Sequence, residues 1–410
     1  MLKKEYPEYY QTRYANISKE FIDIPNALQA VRYFFVQEKL YALVFSKGSK
    51  KLYPLEFNPD LISKLSENWH EIKVICTFSH ELYKQLWLPF AQDLEEERVL
   101  VIPDGILFNL SFDMLLAEEA ESYREFAEKS LLAKHDIYYN FSLSLNRKKP
   151  KTKIAANYIV FAPGFIDNMK EKYRAFVQDS SLVDKAYLSL LPQPFTLSLA
   201  ENASKALRGE RYILDESTPD VFKQKAGNHK IIHIGTHAES NNLSPAFSRL
   251  IFAKSSGEGL VNEDNSIYAY EIYNTDLRAE LAILTACETG KPIYQPGEGM
   301  ISLSHAFTYS GSESLLTSLW KIDEKASNQI TEFFLNHIKE GLPKDRALRL
   351  AKLQYLESAQ GRTLSPQYWA GLILIGDPDP IDGLNPNRSW LLLILGLILA
   401  SLLTFYYLKK

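Results

Sequence analysis

Two short apolar runs, each followed by a residue suited to nucleophilic catalysis, constrain this chain most. Residues 230–238 are KIIHIGTHA and residues 281–290 are LAILTACETG, so His237 and Cys287 each stand just after a strand-like run, 50 residues apart. A cysteine is an effective nucleophile only as its thiolate, and a neighbouring imidazole is the usual base that removes its proton. In a parallel sheet, functional residues gather at the carboxyl ends of strands. The pair therefore predicts an α/β protein with a Cys–His site at one sheet edge.

The remaining apolar patterns predict which segments surround these two strands. Strands alternate with helices of about a dozen residues, which favours a mostly parallel sheet flanked by helices. The amino-terminal part differs, because its strands follow one another through short turns and predict a β-meander in a smaller mixed α/β unit. Predicted strands lie at 30–36, 40–45, 51–55, 98–103, 157–163, 211–214, 313–320 and 372–375, and predicted helices lie near 79–93, 198–208, 300–310, 323–340 and 344–359.

The basic run 147–153, RKKPKTK, is the best candidate for a boundary between two units, although a solvated loop is the preferred interpretation of the run itself. A chain of 410 residues is long enough for two core-forming units. Along the chain, the predicted units are a lead-in at 1–21, an amino-terminal α/β unit at 22–150, a catalytic unit at 151–383, a linker at 384–389 and a transmembrane helix at 390–408.

Composition excludes several classes of function. The net charge of −4 gives no indication of a nucleic-acid partner. The two cysteines, Cys76 and Cys287, are too few for a disulfide framework and suit a reducing compartment. The eight histidines are scattered, and no zinc-ligand spacing occurs, so we expect neither a metal nor another cofactor.

Further motifs give the chain a resemblance to a known family. GEGMISLSHAF at 297–307 and SLWKID at 318–323 follow the cysteine segment, and VIPDG at 101–105 and YWAGLILIGD at 368–377 lie outside it. In this order the motifs resemble the CHAT family of caspase-like cysteine peptidases, which is related to caspases and separases. The caspase spacing of about 50 residues from His to Cys agrees. The resemblance, from about residue 22 to 381, implies a caspase-like fold and endopeptidase activity.

The resemblance also implies roles for individual residues. Cys287 is the expected nucleophile, and His237 is the expected base and later acid, because the family motif places its catalytic histidine second in the segment HIGTH. His233, inside the strand, is expected to be a core residue. Similarity to caspase-like sites implies that the backbone N–H groups of Ala238 and Cys287 bind the oxyanion. No side chain is assigned to orient the imidazole, and a backbone carbonyl could hold it instead.

Three acidic residues are candidates for substrate contact. Glu298 lies in the Gly-Glu-Gly of the family motif, where a loop-shaping hydrogen bond or a substrate contact would explain it. Asp323 and Glu324 follow Trp320, and in the related separases an acidic residue after a similar motif lines the first specificity pocket. Asp323 could equally be the N-cap of the next helix. A carboxylate in the pocket predicts cleavage after Lys or Arg.

The carboxyl-terminal run 390–408, WLLLILGLILASLLTFYYL, is uncharged over 19 residues. As a helix it would span about 28 Å, close to the roughly 30 Å of a bilayer core, and its aromatic ends are typical of membrane interfaces. We therefore expect a single-pass anchor that contacts the lipid bilayer, with a buried core helix as the alternative. The amino terminus resembles no signal peptide, which favours a cytoplasmic catalytic domain, while charges at both ends of the run leave its orientation open.

The sequence thus favours a membrane-tethered cysteine endopeptidase that cleaves a protein or peptide substrate. The alternative is a catalytically silent scaffold that binds protein partners, which the presence of both His237 and Cys287 disfavours. A thioesterase or acyltransferase is a third reading, but no acyl-carrier or nucleotide site supports it. No helical repeat of about 34 residues is visible. CHAT proteins often carry such repeats upstream, so their absence indicates a short family member or the carboxyl-terminal part of a longer chain. An upstream regulatory or helical-repeat partner is a candidate.

Overall fold

A computed structural model describes residues 27–145, 154, 156–177, 180–241, 243–254, 264–285, 293–295, 299–301 and 303–384. Cys287, Glu298 and the run 390–408 lie outside these residues. The strands are β1 Ala30–Val36, β2 Lys39–Ser46, β3 Ser49–Leu55, β4 Arg98–Ile102, β5 Asp136–Tyr139, β6 Ala156–Ala162, β7 Glu210–Ile213, β8 His229–Ile234, β9 His237–Glu239, β10 Arg249–Ile251, β11 Ser266–Tyr268, β12 Leu281–Leu284, β13 Ile293–Gln295, β14 Gly299–Ile301, β15 Ser314–Ser318 and β16 Leu372–Gly376.

The helices follow the apolar spacing of the sequence. They are α1 Asp60–Glu67, α2 Ile72–Leu86, α3 Tyr123–Lys129, α4 Asp167–Phe176, α5 Lys185–Ser189, α6 Pro194–Leu207, α7 Pro219–Lys225, α8 Ala269–Ile272, α9 Leu303–Tyr309, α10 Glu324–Lys339 and α11 Lys344–Ser358.

One 11-stranded sheet runs through the described part of the chain, in the order β3-β2-β1-β4-β5-β16-β15-β12-β8-β6-β7. The first three strands form the expected antiparallel meander. β8 and β12 pair in parallel with each other and with their outer neighbours β6 and β15. This confirms the predicted α/β class with a mostly parallel sheet. The sheet also crosses the predicted boundary near residue 150, because β16 lies between β5 and β15; the boundary itself stays a prediction.

Burial explains why the two central strands are continuous apolar runs. All of β12 is buried, and in β8 only Lys230 is partly exposed. Helices cover the faces of such strands in parallel sheets, so alternation between apolar and polar residues is lost. β9, β10 and β11 form a separate three-stranded sheet that begins at His237. The chain therefore leaves the main sheet at the carboxyl end of β8 and enters the small sheet at His237.

A second apolar cluster lies apart from the main core. It consists of Phe165, Tyr173, Tyr187 and Ile251, with partly buried Val177, Val183, Leu188 and Leu190 around them. Ile251 is the residue of β10 that lies opposite His237 of β9. This second cluster therefore supports the small sheet directly behind His237.

The expected membrane anchor must be corrected. Within the described ranges, no helix is long and apolar enough to cross a membrane. The longest of these, α10, has 16 residues and carries polar residues along one side, whereas a spanning helix needs about 20 predominantly apolar residues. The run 390–408 itself lies outside the described residues. The predictions of a single-pass anchor, of lipid contact and of a membrane location are therefore withdrawn.

Candidate active site

The carboxyl ends of β8 and β12 lie side by side. Leu284 stands opposite Ile234 in the parallel pairing, and the backbone N–H of Thr285 donates to the carbonyl of Ile234 at 3.2 Å. His237 follows Ile234 by three residues and opens β9. Cys287 follows Thr285 by two residues and lies outside the described residues. The two segments that carry the predicted catalytic pair thus leave the sheet at one edge, next to each other.

A glycine makes the turn toward His237 possible. A Cβ atom at Gly235 would lie 2.3 Å from Cγ2 of Thr196, which is far inside van der Waals contact. Thr196 is in the first turn of α6, so that helix packs directly on the turn. Only a residue without Cβ permits this approach. The short segment between β8 and β9 is therefore held in place by the amino terminus of α6.

The imidazole of His237 is half-buried and hydrogen-bonded to the main chain. Its Nε2 lies 2.8 Å from the carbonyl oxygen of Leu191. A carbonyl oxygen can only accept, so Nε2 must carry the proton that is shared in this bond. In the neutral ring, the other nitrogen, Nδ1, then keeps its lone pair. The ring of Phe165 packs at 5.2 Å between centroids. In the neutral ring, Nδ1 of His237 is thus the nitrogen that can accept a proton.

Its surroundings also shift the pKa of His237. Burial is the largest cause and lowers the pKa below the usual value of histidine, and the charges of Lys321 and Lys170 act in the same direction. The hydrogen bond to the Leu191 carbonyl and the charge of Glu239 oppose the shift. A lowered pKa keeps the imidazole neutral to more acidic pH. The environment therefore favours the protonation state that a general base needs.

The segment 184–193, which we call the carbonyl arm, carries Leu191 to His237. Lys170 Nζ donates to the carbonyl of Leu190 at 2.5 Å. The backbone N–H of Gln193 donates to the carbonyl of Gly164 at 2.8 Å. Tyr187 of the arm packs edge-on against Phe165 in the second cluster, 6.0 Å between centroids. Contacts thus lie on both sides of the carbonyl that bonds the imidazole.

His233 has a different environment, as expected of a core residue. It is fully buried in β8, and its Nδ1 lies 2.8 Å from the hydroxyl of Tyr158. Its Nε2 lies 3.1 Å from Oγ1 of Thr285. Burial lowers the pKa of His233 to about 3. Both ring nitrogens are occupied, so His233 is a structural link between β6, β8 and the end of β12.

The remaining residues of interest are the predicted oxyanion donor Ala238, the predicted substrate contact Glu298 and the second cysteine, Cys76. Ala238 lies in β9 opposite Leu250, in an extended strand adjacent to His237, so its N–H remains the predicted oxyanion donor. Glu298 lies outside the described residues. Cys76 is buried in α2, and burial raises the pKa of its thiol to about 11, which disfavours the thiolate. In the described ranges, no group of three or more His, Cys, Asp or Glu side chains could hold a metal ion.

Asp323 and Glu324 both cap helices. Oδ1 of Asp323 accepts from the backbone N–H of Ala326 at 3.0 Å, the N-cap arrangement for α10. Oε1 of Glu324 accepts from the backbone N–H groups of Phe195 and Thr196 at 2.9 and 3.0 Å, at the start of α6. Burial raises the pKa of Glu324. These bonds account for both carboxylates without a substrate, and their role in a specificity pocket stays a prediction.

Leu191, Phe165 and Lys321 act on His237, and the sequence patterns did not indicate them. Leu191 contributes a main-chain atom, which no side-chain motif can reveal. Phe165 adopts a left-handed backbone at φ 47°, which is uncommon for a residue other than glycine. The sequence pattern around it therefore does not predict that its ring lies beside His237. Lys321 stands within the SLWKID motif, and its proximity to His237 could have been inferred only from the position of that motif after β15.

Comparison with known proteins identifies the family. The model of the family described as CHAT domain matches residues 77–377. Human Tetratricopeptide repeat protein 28 is 28% identical over 108 residues, which are 26% of this chain and 4% of that protein. The chain thus spans only a small part of this curated relative.

Solved structures of two peptidases are similar to this chain at low identity. Separase in the Saccharomyces cerevisiae separase–securin complex has 10% identity and a TM-score of 0.40, over 69% of this chain and 16% of that chain. The Arg-specific cysteine proteinase gingipain R has 9% identity and a TM-score of 0.41, over 76% and 68%. RgpB of Porphyromonas gingivalis, with its pro-domain, has 8% identity and a TM-score of 0.41, over 75% and 69%. The CHAT-domain family model covers most of the length of this chain, so the chain belongs to the CHAT-domain family.

Proposed function

We propose that this chain is a cysteine endopeptidase that cleaves peptide bonds of a protein substrate through a Cys287–His237 dyad. The observation that carries the proposal is the arrangement of His237 beside the end of β12, with Nε2 bonded to the Leu191 carbonyl. This bond leaves Nδ1 to accept a proton from a thiol that follows β12. Membership of the CHAT-domain family supports cysteine peptidase chemistry.

The proposed reaction proceeds in two stages. Nδ1 of His237 takes the proton of the Cys287 thiol, and the thiolate attacks the carbonyl carbon of the scissile bond. The backbone N–H groups of Ala238 and Cys287 bind the resulting oxyanion. Collapse of the tetrahedral intermediate breaks the C–N bond, and the imidazolium gives its proton to the leaving amine. Water, deprotonated by His237, then hydrolyses the thioester and restores the thiol.

We further propose that cleavage follows a basic residue. Asp323 is exposed, and its cap bond to the N–H of Ala326 uses only Oδ1. A Lys or Arg side chain of the substrate could pair with it. Glu324 is less suited to this role, because Oε1 of its partly buried carboxylate bonds two backbone N–H groups of α6.

The test is incubation of the full chain with peptides that differ only at the residue before the scissile bond, followed by mass spectrometry. We expect cleavage after Lys or Arg, and a loss of at least about 1,000-fold in Cys287→Ala and His237→Ala. Cys76→Ala is the matched control and should retain activity. Cleavage that persists in Cys287→Ala would refute the dyad. No cleavage of any peptide by the wild-type chain would favour the silent scaffold, and a preference for Asp would refute the basic specificity alone.

A further inference from the structure

A lysine is buried next to the candidate active site. Lys254 follows β10 closely, and only 9% of its side chain is exposed. Its Nζ lies 3.1 Å from Oδ2 of Asp184. It also lies 5.5 Å and 5.6 Å from the ring centroids of Tyr173 and Tyr187, in the geometry of cation–π contacts. Lysine is seldom buried unless it is paired, and here one carboxylate and two aromatic rings surround the ammonium group.

This ion pair joins the two supports of His237. Asp184 begins the carbonyl arm, and its Oδ1 accepts from the N–H of Tyr187 at 3.0 Å, which caps α5. The arm then continues to Leu191, whose carbonyl bonds Nε2 of His237. Lys254 is connected through β10 to Ile251, which lies opposite His237 in the small sheet. The pair therefore connects the two segments next to His237, the carbonyl arm and β10.

Stability alone does not account for this pair. The Lys254 ammonium group is largely withdrawn from water, but 35% of the Asp184 side chain is exposed, so solvent screens the pair and its net contribution to stability is small. A pair of this kind does fix one geometry, since the ammonium group must meet a single carboxylate. Here the geometry that it fixes is the separation between the start of the carbonyl arm and the end of β10. The arm runs from this pair to Leu191, whose carbonyl bonds Nε2 of His237.

We propose that Lys254 and Asp184 are positioning residues, which hold the Leu191 carbonyl against Nε2 of His237 and so select the tautomer with an unprotonated Nδ1. The catalytic consequence rests on the proposed function, whereas the tautomer itself does not. Without the pair, the arm moves relative to β10, the carbonyl bond loosens, and the ring populates the tautomer protonated at Nδ1. That tautomer cannot accept a thiol proton through Nδ1.

The first measurement is the tautomer of His237 in the full chain labelled with ¹⁵N-histidine, with its signal among the eight histidines identified by its loss in His237→Ala. We expect the neutral wild-type ring to carry its proton on Nε2. Lys254→Met and Asp184→Asn should both add a population protonated at Nδ1, while Lys254→Arg should restore the wild-type signal. Asn still accepts from the N–H of Tyr187, so the cap of α5 is kept.

Two further variants separate positioning from folding. Lys254→Met with Asp184→Asn leaves no uncompensated buried charge, so this double variant should fold and yet show the altered tautomer. Lys223→Met is the matched control, because it breaks the 2.8 Å pair with Glu271 on the surface and should leave the tautomer unchanged. A folded double variant that retains the wild-type tautomer overturns the proposal, and so does an equal change in Lys223→Met.

The second measurement is peptide cleavage by the same proteins. We expect kcat/KM to fall about 10- to 100-fold in Lys254→Met, chiefly through kcat, because a displaced catalytic group costs rate rather than affinity. Lys254→Arg should recover most of the rate. If the wild-type chain cleaves no peptide, the proposed function fails and the tautomer measurement still decides the positioning role. If cleavage occurs and Lys254→Met cleaves at the wild-type rate, the positioning proposal fails alone.

Discussion

At His237, a backbone atom determines which imidazole nitrogen carries the proton. The carbonyl of Leu191 accepts from Nε2, while burial and two nearby lysines lower the pKa of the ring. Lys321 is exposed, whereas Lys170 is half-buried and donates to the carbonyl of Leu190 in the carbonyl arm. The charge near the imidazole can therefore be changed at residue 321 without removing a contact that holds the arm.

We predict that Lys321→Met shifts the acidic limb of the pH–rate profile to higher pH. The positive charge of Lys321 lowers the pKa of His237, so its removal raises that pKa, and the imidazole becomes protonated at a higher pH than in the wild type. The measurement is kcat/KM against pH, together with an NMR titration of His237. Lys339→Met, at the far end of α10, is the control. A limb that stays in place or moves to lower pH would contradict this account.

The sequence distinguished His237 from His233 for a physical reason. A histidine within an apolar run lies inside a buried strand, and the structure places His233 there with both ring nitrogens bonded. His237 follows a Gly-Thr turn, which brings it to the strand end. The carbonyl of Leu191 could not be predicted, since it belongs to an irregular segment whose position depends on contacts distant in sequence. Cys287 lies outside the described residues, so its role stays a prediction.

Among the elements, α10 and α6 are joined at their amino termini. Glu324, the first residue of α10, bonds two backbone N–H groups at the start of α6. Asn328, one turn later, donates through Nδ2 to Oγ1 of Thr196 at 3.1 Å. The first N–H groups of a helix have no partner within the helix, so a side chain from elsewhere can satisfy them. This junction holds α6 against the turn at Gly235.

We predict that Glu324→Ala lowers the free energy of unfolding by about 1–2 kcal/mol, because two backbone N–H groups of α6 lose their acceptor. Glu324→Gln should cost less, since the amide oxygen can still accept. Urea unfolding followed by circular dichroism measures both. Asp323→Ser is the control at the adjacent cap, and should change stability little because serine also accepts at an N-cap. Equal losses for Ala and Gln would contradict a role as acceptor.

The helix limits show where sequence patterns suffice. The predicted helices at 323–340 and 344–359 agree closely with α10 and α11, because regular apolar spacing marks both and the Asp323 N-cap marks the start of α10. The prediction at 79–93 was less accurate, since α2 spans Ile72–Leu86 and a separate 3-10 turn follows at Leu88–Asp93. A proline near the start of that turn disrupts the helix. Apolar spacing alone misses such a break, whereas the proline in the sequence indicates it.

Across the whole molecule, charged side chains link the amino-terminal strands to α11. Arg98 of β4 contacts Asp345 through Nε at 2.5 Å and through a second nitrogen at 3.0 Å. Asp345 is buried, and burial raises its pKa to about 6 against the opposing charge of Arg98. Arg349 lies 3.5 Å from Asp136 of β5 and adds a second link. These pairs connect regions more than 200 residues apart in sequence.

We predict that Arg98→Met destabilises the chain more at pH 8 than at pH 5. Removing one partner leaves an uncompensated buried carboxylate, and because Arg98 is partly exposed we expect a loss of about 2 kcal/mol at pH 8, below the usual range for fully buried pairs. The raised pKa means that the folded state keeps its proton while the unfolded state has released it. Stability from this group is therefore present at low pH and lost as pH rises through about 6.

Urea unfolding at both pH values provides the measurement. The double variant Arg98→Met with Asp345→Asn has no buried carboxylate at this position, so the difference between pH 5 and pH 8 should largely disappear. Equal destabilisation of Arg98→Met at the two pH values would contradict the prediction.

The topology of the whole sheet was only partly predictable. Apolar runs identified β8, β12 and β15, and short turns identified the meander of β1 to β3. The position of β16 between β5 and β15 could not be inferred, because pairing between strands so distant in sequence leaves no periodic signal. The resemblance to the CHAT family implied a caspase-like fold but did not specify that the two predicted units share one sheet.

The Leu191 contact affects how the site would respond to random substitution. The side chain of Leu191 is 65% exposed, whereas its main-chain oxygen is the atom that bonds His237. Every amino acid supplies the same oxygen, so a survey of all replacements at residue 191 would find the position tolerant. Residue 191 can therefore tolerate replacement although its carbonyl is important to the imidazole. A search for functional positions that relies on mutational sensitivity would overlook it and find the buried Lys254 instead.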